Sequence, residues 1–336
     1  MKENKPIILW LLSGCLLIFI MVIIGGITRL TDSGLSMVNW SLFMGAIPPL
    51  NEVEWKESFN LYKQSPEFQK VNFNYTLSEF KSIFFWEYLH RMIGRLLGLV
   101  FIIPFIIFLI LGKLNKKLIK QSIVLFVLGA LQGAIGWWMV KSGLVNNPDV
   151  SHYRLSVHLI TAFLTCAFAS WVALPLIFPG KREGNDNLLK LTSWLFILVV
   201  LQIIYGAFVA GLDAGVGFNS WPKMNGEWIP EAVYSLDPLW KNFLEAPYGI
   251  QFIHRTLALV IVSFVFYIWY KGREIQQTHL QKKSLNLLLS VVILQTVIGV
   301  FTLILVVPVS LALIHQLGAF LLLMSVVFSL FTFSKS

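Results

Sequence analysis

Eight apolar stretches of about twenty residues or more constrain this chain before anything else: roughly 7–26, 85–112, 118–140, 152–178, 188–211, 249–270, 284–307 and 310–332. About twenty such residues, wound as a helix, span the hydrocarbon core of a bilayer. Lipid offers the backbone no hydrogen-bond partners, so each stretch must satisfy its own amides as a helix. The first stretch follows Lys2 and Lys5 like a signal peptide. It has the length of a full span and ends in Gly25-Gly26-Ile27-Thr28-Arg29 rather than a small-residue cleavage site, so it reads as a helix. With 57% hydrophobic and 13% charged residues, a soluble globule is excluded. The expected fold is an all-α polytopic membrane protein with eight transmembrane helices.

Charge orients the bundle. The connections 113–120, 181–190 and 271–283 carry eleven Lys and Arg residues, against Lys141 alone in the short opposite loops. By the positive-inside rule both termini are cytoplasmic. The net charge of +9 is mostly this asymmetry, which points to anionic membrane lipid and to no nucleic acid. Two long outer segments, 27–84 and 212–248, are large enough to cap the bundle. Cys15 and Cys166 fall inside helices, as small packing residues do, and leave no outer disulfide or thiolate metal site.

The chain repeats itself. Leu294-Gln-Thr-Val-Ile-Gly299 echoes Leu131-Gln-Gly-Ala-Ile-Gly136, and His254 follows His90 by 164 positions. Ile314-His315 echoes Val157-His158, while Asp32, Gly34 and Trp40 are matched by Asp213, Gly215 and Trp221, 181 positions on. Ordered landmarks of this kind predict two pseudosymmetric four-helix bundles, 1–180 and 181–336. An even number of spans per half makes them run in the same sense.

Polar residues gather at the outer ends of these helices. In Phe85–Arg95, Glu87 and His90 are three apart and Arg91 and Arg95 four apart, so each pair shares a helix face. Gln251-Phe-Ile-His254-Arg255 repeats the arrangement with the carboxylate replaced. Ionisable groups beside hydrocarbon are costly and are functional candidates by default. His279 reads as solvated surface and His152 as interfacial. His90, His158, His254 and His315 begin alternate helices and share one layer. A lone histidine in an apolar helix is usually a packed structural residue, yet two per half at repeat-related places is more than packing asks. Facing imidazoles in a bundle can ligate a metal or heme iron. Zinc or copper would want further N, S or O ligands. Bis-His heme asks only for an apolar slot and cations for its propionates, which Arg91, Arg95 and Arg255 could supply if they do more than snorkel.

In these residues the sequence resembles the heme A synthase family of bacteria and mitochondria. The resemblance runs through Gly26-Ile-Thr-Arg-Leu-Thr-Asp-Ser-Gly34, Glu87-x-x-His90-Arg91, His158, His254-Arg255 and His315, and covers nearly the whole chain. It implies a bacterial cytoplasmic-membrane oxidoreductase that converts a peripheral methyl of heme o to the formyl of heme a through an alcohol, for cytochrome oxidase biogenesis. It implies that His254 and His315, with Arg255, hold a resident heme b as cofactor. His90, His158, Arg91 and Arg95 would hold the substrate heme in the N-terminal half. Heme O synthase and the terminal oxidase assembly are the implied partners, and a homo-oligomer is left open. Some members carry a cysteine pair in the first outer loop; 27–84 has none, so no thiol redox step operates there.

Chemistry agrees with that division of labour. Oxidising a methyl removes electrons and a proton, so a carboxylate beside the substrate ring serves as base or electrostatic stabiliser. Glu87 fills that catalytic role; its bland alternative is a first-turn acid complementing the helix dipole. A di-heme b-type electron-transfer cytochrome would also show four histidines, but tends to place its hemes at opposite membrane faces. A transporter with parallel repeats would concentrate polar groups at the midplane, where 96–111 and 256–269 are largely apolar. Reporter fusions at Asn115 and Asn185 are expected to read cytoplasmic, and those at Asn146 and Asn225 external. A swap at any one of the four would undo both the topology and the repeat.

Overall fold

The computed structural model describes residues 4–38, 45, 47–144 and 148–335; Trp40 and Asn146 lie outside the described residues. Ten α-helices are formed among the described residues. They are α1 (Lys5–Leu30), α2 (Glu52–Tyr62), α3 (Pro66–Lys70), α4 (Leu77–Ile110), α5 (Lys116–Val140), α6 (His152–Ile177), α7 (Asp186–Gly211), α8 (Pro247–Arg273), α9 (His279–Ile304) and α10 (Val309–Phe333). All except α2 and α3 are long and apolar enough to cross a membrane, and the chain is an integral multi-pass membrane protein. Leu99, Ile103, Ile106 and Ile110 of α4 are exposed, a face that water would penalise and lipid does not. Among the described residues Cys15 and Cys166 form no disulfide.

The chain forms two compact units. The first, residues 13–162, holds most of α1, all of α2–α5 and the first turns of α6. Its outer part is organised by aromatic packing. Tyr62 of α2 and Phe80 of α4 are fully buried and stack at 5.1 Å, and Trp55 meets Phe84 edge-on at 5.0 Å. This packing explains why α4 begins at Leu77, eight residues before the apolar run. Thr76 and Glu79 close a capping box there, satisfying the first free amides of the helix. The added turns then bury Phe80, Ile83 and Phe84 against the short helices.

Beneath that cluster sits a buried acid. Glu67 of α3 accepts a hydrogen bond from the Tyr62 hydroxyl at 2.9 Å, and Asn72 Nδ2 donates to the same hydroxyl at 2.8 Å. Burial, reinforced by the negative charges of Glu87 and Asp32, pushes the Glu67 carboxyl up to about 7. Burial also raises the Tyr62 hydroxyl above its ordinary value, so it remains a donor.

The second unit, residues 1–12 and 163–336, contains a closed ring of contacts in which α7 meets α8, α8 meets α9, α9 meets α10 and α10 meets α7. Leu188, Thr192, Leu195, Val199 and Ile203 recur every three or four residues and give α7 one buried face. Ile261, Val265 and Ile268 of α8, Leu285, Leu288 and Val292 of α9, and Leu323 and Val326 of α10 are buried in the same unit. The unit boundaries at 12/13 and 162/163 differ from the repeat boundary at 180/181 expected from sequence.

The raised Glu67 carboxyl carries a pH signature. The folded state holds this proton more tightly than the unfolded state, so its stability is greatest below the unfolded value and falls as pH rises from about 4.5 towards 7. The loss is on the order of 3 kcal/mol across that window. Thermal midpoints in detergent should fall over this range for the natural protein, and Glu67→Gln should flatten the dependence.

Candidate functional site

Glu87 is almost entirely buried, and both its oxygens are engaged. Oε2 accepts from the Ser36 hydroxyl at 2.7 Å and from the Met37 amide at 2.8 Å; Oε1 accepts from Arg91 at 2.5 Å. Arg91 also donates to the Met37 carbonyl at 3.2 Å, and Arg95 donates to the Gly45 carbonyl at 3.1 Å. These three side chains therefore tie α4 to the segment that leaves α1. In the other unit Gln251 Nε2 donates to the Phe218 carbonyl at 3.2 Å, and Arg255 donates to the carbonyls of Phe218 and Ser220. Met37 and Phe218 are 181 positions apart, the same offset as Asp32 and Asp213. Those two aspartates share a left-handed backbone, φ 47° and 48°.

The four histidines are half-buried, and each faces a glycine of a neighbouring helix. A Cβ on Gly25 would stand 3.1 Å from His90 Cε1; on Gly136, 3.1 Å from His158; on Gly206, 3.2 Å from His254; on Gly299, 2.7 Å from His315. Any larger residue at these places would displace the imidazole. Four residues before three of these glycines stands a glutamine whose amide reaches the backbone of the histidine turn. Gln132 donates to the His158 carbonyl at 3.3 Å, Gln202 to that of His254 at 3.0 Å, and Gln295 to that of His315 at 2.9 Å. Positions i and i+4 lie on one helix face, so amide and gap are presented together. The His254 and His315 rings are 6.4 Å apart between centroids and nearly perpendicular. His90 and His158 are close enough to interact electrostatically. The Nδ1 atoms of His90, His158 and His315 are buried and have no hydrogen-bond partner among the described residues.

The structure thus brings His254 to His315 and His90 to His158, with Glu87, Arg91 and Arg95 on the α4 side of the second pair and Arg255 on the α8 side of the first. Two expectations need correction. Glu87 lies roughly three turns inside α4, because the capping box moves the helix start back to Leu77; the helix dipole therefore does not account for it. For the same reason His90 stands more than three turns into α4, whereas His158, His254 and His315 keep the expected two turns or so from their helix starts. His279 is exposed, and the His152 ring packs on Tyr153 at the start of α6. Sequence reasoning used Gln132, Gly136, Gln295 and Gly299 as repeat landmarks without giving them a task, and passed over Gln202-x-x-x-Gly206 and Ser36. The recurring Gln-x-x-x-Gly spacing was the signal that would have found the cradles.

The class that fold and site define is a multi-pass helical membrane protein in which each of two units frames a pair of imidazoles near a connecting segment pinned by arginine. The sequence profile described as cytochrome oxidase assembly protein (COX15-CtaA) matches residues 8–327, and the chain belongs to that family. It is 48% identical to the heme A synthase of Flavobacterium johnsoniae over 99% of both chains, and 48% identical to that of Flavobacterium psychrophilum over the full length of both. It is 45% identical to the heme A synthase of Nitrosospira multiformis over 95% of this chain and 91% of that one.

The Glu87–Arg91 pair, with side chains 5% and 14% exposed, makes an energetic prediction. Glu87→Ala leaves a guanidinium buried beside unmatched donors and should cost roughly 3–5 kcal/mol. Replacing both residues by Leu should cost much less. Thermal midpoints of the natural protein and the two variants in one detergent measure the difference, and an unchanged midpoint in Glu87→Ala would show the pair to be structurally idle.

Proposed function

We propose that this protein is a heme A synthase, an oxidoreductase of the bacterial cytoplasmic membrane that oxidises a peripheral methyl of heme o to the formyl of heme a by way of an alcohol. The observation that carries the proposal is the paired, glycine-cradled imidazoles, set in a chain nearly half identical to full-length heme A synthases. The fit of heme to the C-terminal pair rests on spacing. A metal–imidazole bond of about 2.0–2.1 Å on each side, plus half a ring on each side, separates two ring centres by roughly 6 Å, close to the 6.4 Å found for His254 and His315. The buried, unpartnered ring nitrogens fit the same reading.

On this reading residues 1–180 form the substrate half and 181–336 the resident-cofactor half. The 181-position offset shared by Gly25/Gly206, Asp32/Asp213 and Met37/Phe218 supports the division. His254 and His315 would hold heme b, with Arg255 near its propionates. Heme b would supply one-electron transfer away from the substrate. His90 and His158 would hold heme o, with Arg91 and Arg95 at its wet end.

Glu87 supplies a fixed negative charge beside the ring whose methyl is oxidised. With both oxygens already accepting hydrogen bonds, it acts more readily by stabilising developing positive charge than by taking a proton, which would first require a donor to leave. The basic connections then face the cytoplasm together with both termini, and the histidine layer lies on the outer side. Heme O synthase and the terminal oxidase assembly are the partners this reading implies, in a surrounding of membrane lipid, with a homo-oligomer also open to it.

The test is to purify the protein from cells making heme o, extract its hemes and identify them by mass. Heme b with heme o or heme a is the expected result; two hemes b per chain would favour an electron-transfer cytochrome instead. Replacing His254 or His315 should make heme b five-coordinate or remove it. Glu87→Gln, which copies the other half, should keep the heme b spectrum while lowering heme a output by roughly 10²–10⁴-fold. Near-normal heme a output in that variant would remove Glu87 from the chemistry.

A further inference from the structure

The four imidazole cradles are built to one pattern and differ in one contact. Each is made by a pair of residues spaced i and i+4 on the preceding helix of its half: Met21 and Gly25, Gln132 and Gly136, Gln202 and Gly206, Gln295 and Gly299. The glycine faces the ring and the residue before it faces the backbone of the same turn. Three of the four are glutamine. The exception is Met21, which sits opposite His90, and no amide reaches the His90 carbonyl among the described residues. Instead the Met21 methyl packs toward Gly94, one turn beyond His90. Met21 and Gln202 are 181 positions apart, so they are repeat partners.

Gln202 does more than its two fellows. Its amide nitrogen donates to the His254 carbonyl at 3.0 Å and also lies 3.1 Å from ring Nδ1 and 3.4 Å from Nε2. The turn is thereby bound to α7, and the ring lies against the same amide. A second difference runs the same way. In the N-terminal half the Gln132 amide is shared between the His158 carbonyl, at 3.3 Å, and the Thr161 hydroxyl, at 2.5 Å. The repeat partner of Thr161 is Gly318, which leaves room for Gln295 and a shorter 2.9 Å bond to His315. Both histidine turns of the C-terminal pair are therefore held by an amide that serves that histidine alone, and neither histidine turn of the N-terminal pair is.

From these differences we infer that Gln202 is the positioning residue that makes the His254–His315 site a retaining one, and that Met21 makes the His90–His158 site a releasing one. The inference rests on the heme reading given above and deepens it. A substrate site must bind and let go at every turnover, whereas a cofactor site must not. Outer partners of metal-ligating histidines set affinity by orienting the ring. Here that orientation is given to one half and withheld from the other, and methionine, apolar and flexible, fills the space without directing the turn.

The experiment compares the natural protein with Gln202→Met and Met21→Gln, each purified in detergent with its hemes bound. Loss of heme to excess apomyoglobin is followed by absorbance, each heme being identified by mass, and the low-spin electron paramagnetic resonance signal of the resident heme is recorded. Gln202→Met should speed the loss of heme b by roughly 10–100-fold and alter the low-spin signal. Met21→Gln should slow the loss of heme o from the N-terminal half by a comparable factor. A gain in retention cannot come from damaged folding, so Met21→Gln decides the matter if Gln202→Met folds poorly. Natural rates in Met21→Gln, or in a folded Gln202→Met, overturn the inference. If the natural protein carries heme b that His254→Ala removes, only this inference falls in that case; if it carries no heme, the proposed function falls with it.

Discussion

Hydrocarbon supplies no partner to a side-chain amide, and that constraint organises the imidazole-bearing region. An unpaired amide in an apolar medium costs several kcal/mol, so a glutamine on a membrane helix must find an acceptor on a neighbour. Gln132, Gln202 and Gln295 find it in the carbonyl of a histidine turn. The same helix offers glycine one turn away, where a methyl group would already crowd the ring. One polar residue thus sets the approach of two helices, and one missing side chain makes room for the imidazole between them. The histidine layer is the outcome of these two requirements meeting on one helix face.

In the N-terminal turns of α4 and α8 the same mechanical task is done by different chemistry. Gln251 with Arg255 pins the 218–220 segment through neutral carbonyls. Glu87 with Arg91 pins the 36–37 segment through an ion pair. A neutral amide suffices mechanically, and a buried ion pair carries a desolvation cost that hydrophobic or neutral polar replacements avoid. The charge at position 87 is therefore hard to explain by packing alone. A fixed anion has a clear use where positive charge develops on a substrate ring. Arg91 balances that anion while both are buried, and three donors hold the carboxylate in one orientation.

How much of this was legible in the sequence follows from what each feature depends on. The eight spans were legible because hydrocarbon thickness dictates their length and composition. The four histidines and three arginines stood out because such residues are rare in apolar runs. The start of α4 was not legible from hydropathy: its first two turns are held by Thr76, Glu79 and the rings of Tyr62, Phe80 and Trp55, none of which lies in an apolar run of membrane length. The dipole explanation for Glu87 failed with that boundary. Nothing in the sequence around Glu67 signals burial, because that burial is created by helices whose packing is non-local. Gln202 was missed for a different reason. The repeat was sought through identical landmarks, and here the partner is Met21, so the position that differs most was the one that comparison of identities discards.

Resident cofactor and exchangeable substrate pose opposite demands on one frame. Altering the backbone of one half would disturb the glycine approach that both halves need, since each imidazole already lies within about van der Waals reach of its helix neighbour. Side-chain exchanges at the edge of the cradle avoid that difficulty. Methionine for glutamine at position 21, and threonine for glycine at position 161, remove or divide a hydrogen bond while leaving the helix spacing intact: a Cβ added to Gly25 or Gly206 would stand 3.1 or 3.2 Å from the facing Cε1. An outer hydrogen bond that positions a metal-ligating histidine changes ligand affinity by roughly 10–100-fold, too little to unfold a bundle. On the proposed reading, differences of that size would let two halves share one architecture and hold their ligands for different times.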